Sequence, residues 1–171
     1  PPISLSTFQG NDFSLAEQAG PPVWFLILNA KEGPFSNKKV RQAANYAINK
    51  EAIVKDVLEG TAASAAGPTP PAFAWAYNNN LQPYPYNPEK AKALLNEANL
   101  SDKKLTFYVT QGGSGMLDPV AMGTAIQADL EAVGFDVEIK TFEWNAFLGE
   151  VNPGLEGKAD MAEICLLYTS D

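Results

Sequence analysis

Between residues 105 and 141 a strand, a helix and a second strand follow one another, and that order restricts the fold more than anything else in the chain. Leu-Thr-Phe-Tyr-Val-Thr at 105–110 is apolar and β-branched, which predicts a strand. Asp118-Pro119 supplies a cap and a first-turn proline, opening a helix to Val133 that Gly134 ends. Residues 136–141 then alternate as a half-buried strand does. Such a βαβ unit is expected to have parallel strands and a right-handed crossover. The fold class is α/β.

The rest of the chain extends this pattern. Residues 1–22, rich in Gly, Pro and Ser, read as an incomplete lead-in. The apolar run at 23–28 predicts a strand buried on both faces. Ser36 or Asn37 caps a helix carrying Val40, Ala43, Ala44, Ala47 and Ile48 at helical spacing. Asn49 caps a second helix over 50–58, closed by Gly60. Proline and aromatic residues dominate 61–87, which predicts a long ordered arm held by aromatic packing. Asn87-Pro88-Glu89 opens a helix that buries Ala91, Leu94, Leu95 and Ala98. A short helix over 143–151 carries Trp144, Phe147 and Leu148, and 159–164 reads as a last strand.

Composition narrows the function. There are 171 residues, enough for one domain with a core. Twelve Lys and Arg stand against 20 Asp and Glu, a formal charge of −8, with no clustered basic surface. The consecutive helices at 38–58 invite a helix–turn–helix reading, but this balance makes nucleic acid an unexpected partner. The chain has no His and one Cys, so the usual general base, zinc ligands and an internal disulfide are all missing. No metal and no cofactor is expected.

Gln111, Gly112, Gly113, Ser114 and Gly115 sit between a strand and a helix, where open α/β sheets place ligand contacts. Glycine lets backbone approach a ligand, and a helix start offers N–H groups. The stretch lacks the phosphate-loop Lys and the dinucleotide glycine spacing, so its alternative reading is a plain tight turn. Glu143, Asp160 and Glu163 are the acids a carboxylate-based hydrolase would draw on, but nothing in their spacing fixes a separation. Arg41, Trp75, Trp144 and the Tyr84/Tyr86 pair are read as structural, with Arg41 as an ion pair or cap locking its helix to the sheet.

Gly33-Pro34-Phe35-Ser36-Asn37-Lys38-Lys39-Val40-Arg41-Gln42-Ala43, continued by Asn45-Tyr46-Ala47-Ile48-Asn49-Lys50-Glu51-Ala52-Ile53-Val54, closely resembles family 5 of the extracellular solute-binding proteins. The resemblance runs on through Pro70-Pro71 with Trp75 and through Tyr84-Pro85-Tyr86-Asn87-Pro88-Glu89-Lys90-Ala91-Lys92-Ala93-Leu94-Leu95. It extends to Ile126-Gln127-Ala128-Asp129-Leu130 and Thr141-Phe142-Glu143-Trp144, and spans residues 23–164. These are the dipeptide, oligopeptide, glutathione and nickel receptors.

The resemblance implies one α/β lobe of a type II periplasmic-binding-protein-like fold, a mixed sheet with flanking helices. It implies a receptor that captures a peptide or related solute between two lobes and delivers it to an ABC permease. Such a protein is expected to be monomeric and periplasmic or extracellular, with or without a lipid anchor. No catalytic residue is expected; the alternatives are a carboxylate-based hydrolase and a sensory ligand-binding module. Gln111, Gly112, Gly113, Ser114, Gly115 and Glu163 are the expected ligand-binding residues, Glu163 because it ends a strand near the expected cleft. Dipeptide receptors carry an Arg in this loop to pair the ligand carboxylate, and here the aligned positions are Gly112, Gly113 and Ser114. The family continues after such a strand with Trp and Asp-Pro-Asp. Residues 165–171 instead resemble a translated sequencing adapter, so Cys165 is given no chemistry.

Overall fold

The computed structural model describes residues 8, 14, 16, 20–113 and 115–166; Ser114 and the end of the 165–171 tail lie outside them. Strand β1 (Val23–Leu28) leads through a 3-10 turn (Pro34–Ser36) into helix α1 (Lys38–Ala47). A short α2 (Lys50–Ala52) passes into a π-helical turn (Ile53–Val57), and after the arm comes α3 (Pro88–Ala98). Then follow β2 (Lys104–Thr110), α4 (Pro119–Ala132), β3 (Asp136–Phe142), α5 (Trp144–Val151) and β4 (Met161–Leu166).

The four strands form one mixed sheet in the order β1-β4-β2-β3. β2 lies parallel to β3 and to β4, as the strand–helix–strand pattern requires, while β1 runs antiparallel to β4. Alternation along β2 feeds two cores. Leu105, Phe107 and Val109 join Met161 beneath α1, α3 and α4, and Tyr108 joins Ala162, Phe147 and Val151 on the α5 side. The result is a sheet between two helical layers.

The expected caps form. Asn37, not Ser36, accepts from the Lys39 amide at 2.9 Å, and Asn49 accepts from Ala52 at 3.0 Å. Asn87 and Asp118 accept from Lys90 and Ala121 at 2.9 and 3.2 Å. Arg41 Nη1 donates to the carbonyls of Phe35 and Ser36 at 2.7 and 3.0 Å, clamping the 3-10 turn to α1 through carbonyl groups.

Two expectations change. β1 is an edge strand in which only Val23 is fully buried, so its continuous apolar run does not mark a strand covered on both faces. Trp75 is 88% exposed, leaning toward Phe73 with ring centroids 6.2 Å apart, so it holds no core. The arm is instead anchored near its end. Tyr84 meets Tyr46 edge-on at 4.9 Å, and the Asn87 amide donates to the Tyr46 carbonyl at 2.8 Å.

Asp160 ties three segments together. Its carboxylate accepts from the Thr106 amide at 2.8 Å, its amide donates to the Thr106 carbonyl at 3.0 Å, and its carbonyl accepts from the Asn29 amide at 2.8 Å. Asp160→Ala strands the Thr106 donor and is expected to cost about 1–3 kcal/mol, read from the shift in urea midpoint at constant slope.

Candidate functional site

Because β2, β3 and β4 are parallel, their C-terminal ends lie together, and the antiparallel β1 brings Val23 and Trp24 to the same end. Open α/β sheets offer ligands this end. The turn from β2 into α4 emerges here. The Gln111 amide donates to the Phe142 carbonyl at 2.8 Å, carrying the β2–β3 ladder one residue beyond the strands. Thr110, wholly buried, both donates through Oγ1 to the Gly112 carbonyl and accepts from the Gly112 amide. The Met116 amide closes a turn onto the Gly113 carbonyl at 3.2 Å.

The glycines of this turn are there for different reasons. Gly115 has φ +75°, a left-handed conformation that side chains resist. Gly113 lies flat against the Trp144 ring, which a Cβ would strike. Gly112 has neither constraint, since a Cβ there would meet nothing within 4 Å. Its Cα is open on the Cβ side at the carboxyl end of the sheet, while its amide and carbonyl both engage Thr110 Oγ1. Gly113→Ala is therefore expected to displace the Trp144 indole, seen as a changed near-ultraviolet dichroism band. Gly112→Ala should leave stability within about 0.5 kcal/mol.

Gln111, Gly112, Gly113 and Gly115 thus come together near the surface, Gln111 and Gly115 exposed and Gly112 and Gly113 partly buried. Glu163 occupies the same end of the sheet but inside it. β4 continues past it to Leu166, and its side chain has no exposure at all. It pairs with Leu26 across β1 and lies under α4, where Gly123 leaves room for the Oε2 atom. Neither carboxyl oxygen has a hydrogen-bond partner, and the Trp24 Nε1 donor nearby on the same sheet face is also unpartnered. Burial pushes the Glu163 carboxyl up to about 8; the Thr110 amide opposes the shift without reaching hydrogen-bond geometry, and the Asp118 carboxylate adds to it.

The other two acids lie elsewhere. Asp160 is at the opposite end of the sheet, bonded to Thr106, and Glu143 caps α5 by accepting from Asn145 at 3.0 Å. No carboxylate pair assembles from the three. Among the described residues no group of three or more His, Cys, Asp or Glu could hold a metal. Glu143 is exposed, as an acid is by default, but the burial of Glu163 was not readable from sequence, since an acid carries the usual mark of an outward-facing position.

A lobe of this layering, with a glycine turn at the carboxyl ends of its parallel strands, is that of a type II periplasmic binding protein. The chain belongs to the bacterial extracellular solute-binding proteins, family 5, whose middle-region model matches residues 1–163. It is 39% identical over 150 residues to heme-binding protein A of Haemophilus influenzae, covering 84% of this chain and 27% of that protein. It is 39% identical over 148 residues to the dipeptide-binding protein of Escherichia coli, covering 85% of this chain and 28% of that one. The periplasmic binding protein DppA from Helicobacter pylori, solved with the peptide STSA, superposes with a TM-score of 0.82 at 32% identity, over 96% of this chain and 31% of its own. The chain thus spans under a third of the length of these proteins.

Proposed function

We propose that this chain is part of the solute-binding component of an ABC importer, which takes a peptide or related small solute between two lobes and hands it to a membrane permease. The glycine turn after β2, open on the Cβ side of Gly112 at the carboxyl end of a family 5 sheet, carries this reading. The turn holds no Arg or Lys, so the ligand is held through backbone contacts rather than by a bidentate cation. Capture, closure and docking on the permease need no bond to be made or broken in the ligand. The working protein is monomeric and periplasmic or extracellular. Among the described residues no helix is long and apolar enough to cross a membrane. Gln111, Gly112, Gly113, Ser114 and Gly115 line the ligand face, and Glu163 acts from beneath it.

A sequencing read through the encoding locus tests this. Permease genes alongside, with Trp and Asp-Pro-Asp codons following Ile164, are the expected result. A locus with genomic codons for residues 165–171 and no transporter genes would overturn the import role and favour a sensory module.

A further inference from the structure

Glu163 is a buried acid with both oxygens unpartnered, set directly below the helix that leaves the ligand turn. The side chains packed against it are largely apolar, with the Trp24 Nε1 and the Thr110 amide as polar groups that do not reach hydrogen-bond geometry with it. β1 presents Leu26, β2 presents Val109, and α4 presents Gly123, where a Cβ would lie 3.7 Å from Oε2 and 2.9 Å from Val109 Cγ2. On its own strand Met161 and Cys165 share its face, the Cys165 thiol being raised by burial and so uncharged. Among the described residues the one charged group acting on it is Asp118. Asp118 is also the cap of α4: its carboxylate takes the Ala121 amide and its carbonyl takes the Met122 amide at 3.0 Å. Gly123 is the fifth residue of α4, past the free N–H groups of the first turn, so the helix end supplies no donor to Glu163.

We infer that Glu163 is a positioning residue for the ligand turn: as an uncharged acid it lets α4 seat on β2 and β4, and its ionisation lifts the start of α4 together with residues 111–115. Among the described residues a carboxylate formed here has no counter-ion and no donor in hydrogen-bond geometry, and the Asp118 carboxylate opposes it, so relief comes from admitting water between α4 and the sheet. Three residues separate Gly115 from the Pro119 start of α4, so a displaced cap moves the turn. Proton loss just above neutral pH then opens the ligand face. The inference takes from the proposed function only that this turn meets ligand.

Glycine α-carbon NMR signals, which survive at alkaline pH where amide signals fade, read this without ligand. From about pH 6 to about pH 9.5, Gly112, Gly113 and Gly115 and the Trp144 ring are expected to shift together in the wild-type chain, with a midpoint near 8. In Glu163→Gln the shift should vanish, and in Glu163→Asp it should return with a moved midpoint, which a merely structural role does not predict. Glu163→Met serves as a second non-titrating variant. Flat wild-type signals, or the same titration in Glu163→Gln, would overturn the inference. In a parallel series with the tetrapeptide Ser-Thr-Ser-Ala, affinity should fall about tenfold across the midpoint in wild type and stay level in Glu163→Gln. A turn that titrates but binds no peptide at any pH upholds the role of Glu163 and counts against the receptor reading.

Discussion

Relative to the wild-type chain, Glu163→Gln is expected to gain stability as pH rises from 5 to about 8, by about 1.4 kcal/mol per pH unit, and to hold that lead unchanged at higher pH. In the fold the Glu163 carboxyl is pushed from 4.5 to about 8, mainly by burial. The folded state therefore holds a proton that the unfolded chain releases in acid. Stability from this group is fully present below 4.5, declines as pH rises, and is lost above about 8. The whole displacement corresponds to roughly 5 kcal/mol, a large part of the 5–15 kcal/mol typical of a domain. Asp129 and Asp160 are also raised by burial and slope the same way, so the difference between the two proteins isolates Glu163. Urea midpoints measured across this range check it. Parallel curves for the two proteins would show that the carboxyl is solvated or paired in solution.

Phe35→Ala should cost about 3–5 kcal/mol at any pH. Phe35 has no exposure although it lies on a three-residue 3-10 turn rather than on a regular element. It packs into the core with Val40 and Ala43 of α1, and its ring meets Phe135 at a tilt with centroids 6.3 Å apart. Arg41 holds the Phe35 carbonyl, so the backbone is fixed and cannot collapse into the space left by the ring. A rigid cavity keeps the full penalty. A loss under about 1 kcal/mol would mean that the turn follows the deletion and that the Arg41 clamp is weak.

The parts of the fold legible in the sequence were those set by local chemistry. Asn37, Asn49, Asn87 and Asp118 announce helix starts because a short polar side chain satisfies an amide two or three residues on, and each does so. Gly60, at φ +74°, ends its helix for an equally local reason. The π-helical turn at Ile53–Val57 and the left-handed cap at Asn99 gave no such sign. Pairing was less legible. That β4 inserts between β1 and β2, and that β1 is an edge strand, depend on partners about 50 residues apart for β2 and more than a hundred apart for β1. Val-Trp-Phe-Leu-Ile-Leu reads the same at an edge as at a centre. At the carboxyl end of the sheet, glycine spacing located the turn, but only the fold separates Gly113, fitted to Trp144, from Gly112, whose Cβ side meets none of the described residues. The depth of Glu163 was hidden because local sequence marks an acid as a surface residue.

Amide shift mapping at mildly acidic pH, with the tetrapeptide Ser-Thr-Ser-Ala titrated to millimolar concentration, tests the central claim most directly. A single lobe is expected to bind weakly, and the predicted result is a saturable shift confined to residues 111–115 and the start of α4, with the peptide recovered intact. Shifts gathered instead in the groove lined by Lys38, Arg41, Gln42 and Tyr84, or none at saturation, would contradict the placement of the ligand face.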